Sequence, residues 1–453
     1  MSKLNSDVLY LIFEQLQHDN KTIQSCLLVN RTSCEIVIPI LWKNPWQYNL
    51  NYKQHLLLLN IIISNLPHEL KIIYKSKGIY TLPNSYKPLF NYIKFCNYLN
   101  LEKFCSLTSI MNDKIELFIN GNTRFTHIIL PYDSFNFSLH NLPGSIHSLS
   151  GLEFLNCHTL KNDDILIGLA GICNSIKELK LITYLNPYFT NFKNDTENFG
   201  IIKLIENQKR LSCVQLHFVD YEYVATKYRK FFKILINSIN KHSNSIKYFK
   251  IKGSYDMDQT YHLANLSLPL LKTLNSRRAL LTDLTRLIGN TIGNLNEIKI
   301  DQMNHDDDDD FKRIIQIIYL NCPNLKYLKL LIRNNNILAL ENLLINCQNL
   351  IGLYILTSDI INWDELFKIL LRSSSNNLFK FKFLTRISIK FDSLKYFLDN
   401  WDKDRHPLLL QTVRMIESHR LSCLIHEYET KGVIMKYDND WHGTNFRSFE
   451  WIK

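Results

Sequence analysis

Hydrophobic positions fall into two different rhythms along the chain. In the opening stretch Leu4, Val8, Leu9, Ile12, Phe13 and Leu16 recur at helical steps, which predicts one apolar stripe on a helix capped by Ser6 or Asp7. A polar break at 17–21 follows. Thr22 can then cap a second helix carrying Ile23, Cys26, Leu27 and Leu28, and Ile36 to Trp42 forms a third apolar element. Three short helices cannot bury that much apolar surface among themselves, so part of it is expected to meet a partner.

Further on, a different signature returns: apolar-x-x-apolar-x-apolar. It occurs at Phe125/Ile128/Leu130, Leu152/Leu155/Cys157, Ile176/Leu179/Leu181, Leu211/Val214/Leu216 and Ile246/Phe249/Ile251. It continues at Leu295/Ile298/Ile300, Leu325/Leu328/Leu330, Leu350/Leu353/Ile355 and Leu384/Ile387/Ile389, with Leu271/Leu274 as a degraded copy. One such triplet means little in a chain this rich in Leu, Ile and Phe. The spacing carries the argument: successive copies start 24 to 35 residues apart, close to or somewhat above leucine-rich-repeat periods. Helical patterns such as Phe311 to Tyr319 and Ile337 to Leu344 lie between copies, so each unit reads as a short strand, a connection and a helix. Stacked units of this kind form an α/β repeat, a curved solenoid whose strands align as a parallel sheet on the concave side. Cys173, Cys322 and Cys347 each stand three residues before a triplet and read as small fillers at helix ends.

The opening segment resembles the F-box. Leu4-Asn5-Ser6-Asp7-Val8-Leu9-Tyr10-Leu11-Ile12-Phe13-Glu14-Gln15-Leu16 is similar to its first signature, Cys26-Leu27-Leu28-Val29-Asn30-Arg31 to its second and Leu41-Trp42-Lys43 to its close. Asn5 stands where that family usually has proline, and Ser33 where tryptophan is common. The resemblance covers about the first tenth of the chain. It implies a non-catalytic adaptor of a Skp-cullin-F-box ubiquitin-protein ligase, of the kind in which leucine-rich repeats follow the F-box. Leu4, Val8, Leu9, Ile12, Phe13, Leu16, Leu27, Leu28, Val29, Leu41 and Trp42 would bind the Skp-family adaptor and, through it, a cullin scaffold. The expected organisation is an F-box over 1–45, a helical linker and solenoid cap over 46–120, repeats over 121–391 and a C-terminal cap over 392–453. Apolar runs at Leu56 to Leu66 and Leu89 to Leu101 make the linker helical, and Trp401, Trp441 and Trp451 would cover the last repeat.

Strand side chains alternate, so the residue between the two strand core positions of each triplet faces outward. That row reads Lys180, Gln215, Lys250, Asn275, Lys299, Lys329, Tyr354 and Ser388, and neighbouring rows supply Tyr248, Lys252, Tyr327, Arg386 and Lys390. Lys180, Tyr248, Lys250, Lys299, Tyr327, Lys329, Tyr354 and Arg386 are therefore the candidate target-binding residues. Lysines beside aromatic rings suit an acidic or phosphorylated protein segment.

Composition narrows the alternatives. With 46% hydrophobic and 21% charged residues and few Gly (13) or Pro (11), the 453-residue chain is globular throughout. The net charge is +11, but no Lys/Arg run of the kind that grips phosphates occurs, so nucleic acid ranks behind protein as a partner. A basic nucleic-acid-binding repeat protein and a repeat scaffold with no ubiquitin role are the rival readings. Ten cysteines without a metal-ligand or disulfide pattern are expected to be reduced and mostly buried. No signal peptide or membrane span is apparent, so an intracellular protein of cytoplasm or nucleus without membrane contact is expected. His305 to Asp310 lacks the spacing of a calcium loop and reads as a solvated loop whose last aspartates cap a helix near Phe311. No nucleotide-binding, nucleophile or zinc-protease motif is present, and no cofactor is expected.

Overall fold

The computed structural model describes residues 5–17, 19–48, 51–65, 68–76, 78, 80–83, 87–107, 115, 118–119, 121–132, 138–159, 163–185, 199–220, 229–253, 263–301, 308–357, 361–385, 389–402, 405–413 and 419–440. The chain divides into two compact units, one of residues 1–183 with 191–211 and one of 184–190 with 212–453.

The first unit begins with three helices, α1 (Ser6–Gln15), α2 (Asn20–Cys26) and α3 (Arg31–Lys43). Their starts lie earlier than the sequence suggested. Asn5, in extended conformation, caps α1 by accepting from the Asp7 N–H at 3.4 Å. Asp19 caps α2 by accepting from the Lys21 and Thr22 N–H groups, while the Thr22 hydroxyl donates back to Asp19 at 2.6 Å. Asn30 caps α3 through the Ser33 N–H at 2.8 Å. Phe13, Ile23, Val37 and Ile40 form a small core, with Leu9, Leu16, Cys26, Leu27, Ile36 and Leu41 packed around it.

Helices α4 (Tyr52–Ser64) and α5 (His68–Ser76) follow, then a 3-10 turn at Tyr92–Phe95. The run Leu89 to Leu101 is thus not the helix its composition suggested, because Tyr98–Asn100 pairs with a later strand instead. The remaining elements of this unit are β1 (Tyr98–Asn100), α6 (Leu101–Leu107), β2 (His127–Ile129), α7 (Ser145–Leu149), β3 (Phe154–His158), α8 (Asp163–Ile172), β4 (Glu178–Leu185) and α9 (Gly200–Glu206). Strands β1 to β4 pair in parallel in chain order. Tyr98, His127 and Phe154 are register partners, and their rings stack at 3.9 and 5.4 Å. Gly168 of α8 is required by a close approach: a side chain there would meet the His140 ring at 2.0 Å.

The second unit repeats one unit of structure. Its elements are β5 (Cys213–Asp220), α10 (Arg229–Asn240), β6 (Tyr248–Lys252), β7 (Thr273–Arg277), α11 (Leu281–Gly289), β8 (Glu297–Asp301), α12 (Asp308–Asn321), β9 (Tyr327–Leu331) and α13 (Ile337–Asn346). They continue with β10 (Gly352–Leu356), α14 (Trp363–Ser373), β11 (Lys380–Leu384), α15 (Phe391–Asp399), β12 (Leu408–Val413), α16 (His419–Thr430) and β13 (Ile434–Asp440). Strands β5 to β13 pair in parallel, each with its neighbour in chain order.

The triplets are the strand cores. Leu325, Leu328 and Leu330, like Leu295, Ile298 and Ile300, are all but inaccessible, and each such side chain contributes about 2 kcal/mol of burial. The shared turn before each strand is also satisfied from one repeat to the next. Asn324, Asn349 and Asn377 donate their amide N–H to the carbonyls of Gly293, Pro323 and Gln348, each at 3.1 Å. The Cys173 thiol donates to the Leu149 carbonyl at 3.1 Å and the Cys347 thiol to that of Cys322 at 3.7 Å. Burial pushes the Cys173, Cys322 and Cys347 thiols up to about 12, which leaves them as fillers rather than nucleophiles.

Two readings need correction. The triplet assigned to Leu384/Ile387/Ile389 is displaced: Leu378/Phe381/Phe383 has the same spacing, is buried, and supplies strand β11. The sheet also runs past Phe391, since β12 and β13 extend it within the segment assigned to a cap. Trp401 is buried against Phe381 and Phe397 at 5.9 and 5.5 Å; Trp441 and Trp451 lie outside the described residues. Of the six residues His305 to Asp310, only the end is described, as the first turn of α12.

Candidate interaction surfaces

Residues expected to dock a partner through α1–α3 separate into two groups. Phe13 belongs to the internal core, and Leu9, Leu16, Leu27 and Leu41 are half-buried against it. Trp42 is half-buried and lies 4.6 Å from the Tyr92 ring, tying α3 to the 3-10 turn. Leu4 lies outside the described residues. Val8, Ile12, Leu28 and Val29 are exposed, and so is Leu11, which the stripe did not include. Leu28 is 89% exposed, Val29 67% and Leu11 59%, so each leaves most of its apolar surface in water. Leu11 lies off the predicted stripe, of which Leu9, Phe13 and Leu16 turn inward while Val8 and Ile12 stay exposed.

In the second unit the predicted outward row exists in register. It runs Gln215, Lys250, Asn275, Lys299, Lys329, Tyr354, and then Lys382, Gln411 and Asp438. Lys382 takes the place assigned to Ser388; Ser388 and Arg386 lie outside the described residues. Lys180 is on β4, where the row of the first unit reads Asn100, Ile129, Asn156, Lys180.

The row is not uniform. Tyr248, Lys250, Lys252, Arg277, Lys299 and Tyr327 are half-exposed, whereas Lys329, Tyr354, Lys382 and Gln411 are buried. From β9 to β12 the next outward row is buried as well, being Leu331, Leu356, Leu384 and Val413. Within the buried part, the Lys329 ammonium lies 3.3 Å from the Asp301 carboxylate and 4.6 Å from the centre of the Tyr354 ring. The Lys382 ammonium approaches the same ring at 5.0 Å. Burial pushes Lys329 down to about 8 against the pull of Asp301. It pushes Lys382 down to about 8 as well, against Asp440 and Asp438 and assisted by Lys329. Lys299 is ion-paired to Glu297 of its own strand. Lys329 and Tyr354 are therefore parts of an internal, charge-compensated seam, and the outward surface left for a ligand centres on β6–β8.

Among the described residues no group of three His, Cys, Asp or Glu side chains is placed to hold a metal ion, and no helix is long and apolar enough to cross a membrane. A leucine-rich repeat-containing protein from Legionella pneumophila, known from its crystal structure, is similar over 68% of this chain and 91% of its own, at 13% identity and a TM-score of 0.35. No protein-family model matches the chain, and no curated protein matches it.

Proposed function

We propose that this chain is a substrate-recognition adaptor of a Skp-cullin-F-box ubiquitin-protein ligase: α1–α3 dock on a Skp-family adaptor, and a leucine-rich-repeat body captures the target. One observation carries this reading. The three-helix core leaves Val8, Leu11, Ile12, Leu28 and Val29 exposed on α1 and on the turn after α2. Isolated apolar residues need no explanation, but five of them on one small helical unit, in the segment that resembles an F-box, suit a partner surface.

The Asn5 substitution is compatible with this role, because Asn5 starts α1 through its side chain where proline would start it through its fixed φ. Target capture belongs to the half-exposed outward residues, Tyr248, Lys250, Lys252, Arg277, Lys299 and Tyr327, whose charge suits an acidic or phosphorylated segment. In this role the protein supplies effective concentration and orientation, and the bond-making chemistry resides in partner subunits.

Co-purification of full-length chain tests it. The Leu11→Asp/Ile12→Asp variant is expected to lose the Skp-type adaptor and cullin together while its melting temperature stays put. Retention of both proteins by the variant, or their absence from wild type, would reject the adaptor role.

A further inference from the structure

The sequence contains no lysine run, yet parallel pairing assembles one. The residue just before each strand of the second unit sits on the rim where the strands begin, and successive rim residues are joined through the backbone. Lys272 N–H donates to Lys247 C=O, Asn296 to Lys272, Lys326 to Asn296 and Ile351 to Lys326, each at 2.8 Å. Neighbouring strands are about 4.8 Å apart, so Lys247, Lys272 and Lys326 form one line crossing four strands. All three are exposed, and among the described residues no ion pair engages them.

One residue further into each strand, the partners in register are Tyr248, Thr273, Glu297 and Tyr327. Both tyrosines are half-exposed, and the Lys380 ammonium lies 5.8 Å from the centres of the Tyr327 and Phe379 rings. Glu297, the acidic member, is held by Lys299. A line of exposed lysines on the rim, one residue from half-exposed tyrosines, is an arrangement that can follow a sugar-phosphate backbone while rings stack on bases. An acidic polypeptide needs the charge of the lysines, whereas bases need the ring faces as well.

We propose that the rim of β6–β9, Lys247, Lys272 and Lys326 with Tyr248 and Tyr327, binds single-stranded nucleic acid. Adaptor docking uses α1–α3 and is separate, whereas Tyr248 and Tyr327 also belong to the surface proposed for target capture, so the two ligands would compete there. The contacts are to phosphates and to base faces, so the surface is tolerant of sequence.

Anisotropy of a fluorescein-labelled twelve-nucleotide oligo(dT), titrated with full-length chain between 50 and 200 mM salt, tests it. Three phosphate contacts predict that log K falls with log salt at a slope of about −2. The Lys247→Gln/Lys272→Gln/Lys326→Gln variant, altered only at exposed positions, should bind at least about tenfold more weakly at 50 mM salt with a slope near zero. Tyr248→Leu/Tyr327→Leu should weaken binding about tenfold with the slope retained. Absence of binding at 50 mM salt would overturn the proposal, as would wild-type affinity in the lysine variant. So would equal competition by poly-glutamate together with an unaltered tyrosine variant, since that pair of results describes a surface for acidic polypeptides.

Discussion

The helices α1–α3 and the strands of the second unit are built from the same aliphatic residues and spend them in opposite ways. In β8–β10 every Leu and Ile of the triplets is inaccessible, and from β9 to β12 even the outward row is enclosed. In α1–α3 four residues close a core while five large aliphatic side chains of the same segment remain in water. A repeat has a neighbour on each side to cover its apolar positions. The helical unit is covered by its own chain at the end of α3, where Trp42 meets the Tyr92 ring, and the five exposed residues are the ones that the proposed docking would use.

The contrast is broken most severely in the repeats. Leu328→Ala removes a fully enclosed side chain and should cost about 2–5 kcal/mol, read as a lowered denaturant midpoint of the full chain. A loss below about 1 kcal/mol would mean that the repeats are no better packed than the helices.

The enclosed lysines sharpen the same contrast, because the repeats bury charge as well. Both Lys329 and Lys382 are held near 8, below the ordinary lysine value of about 10.4. The unfolded chain therefore carries more protons between these values, and stability gains from the pair as pH rises from about 8 to 10.4. The Lys329→Met/Lys382→Met variant lacks that dependence. Its stability relative to wild type should be highest below pH 8 and decline by up to about 2.7 kcal/mol per pH unit across the window, about 1.36 for each of the two lysines. A constant difference from pH 7 to 10 would show that the two ammonium groups are solvated.

A smaller effect is expected at Ser276, which occupies the third core position of the degraded Leu271/Leu274 repeat and is inaccessible, its hydroxyl without a hydrogen-bond partner among the described residues. Ser276→Ala should stabilise by about 1 kcal/mol, measured by chemical denaturation; a destabilised variant would point to a partner for that hydroxyl.

What could be read in advance follows from which positions face inward. The triplets located β2–β10, and helical periodicity located α1–α3, because burial on one face leaves a periodic trace. Strand β12 left none: Leu408 to Val413 is enclosed on both faces, so its residues do not alternate. Strand β11 was misplaced by one overlapping pattern, Leu384 being able to end one triplet region or start another. The outward row exists as a register, half-exposed over β6–β8 and buried from β9 to β12. Alternation tells which way Lys329 and Tyr354 point, but not that β9–β12 are covered there. Leu11 and the rim lysines were missed for a related reason, since neither lies on a period and only the fold shows what surrounds them.

The central claim is that Leu28 and its neighbours are exposed for a partner's sake. Titration calorimetry of a Skp-type adaptor against wild-type chain and against Leu28→Ala measures it directly. Burying Leu28 at an interface contributes about 2 kcal/mol, so the substitution should weaken binding by more than tenfold while the melting temperature is unchanged. Equal affinity for both chains, or no heat of binding to either, would contradict the account.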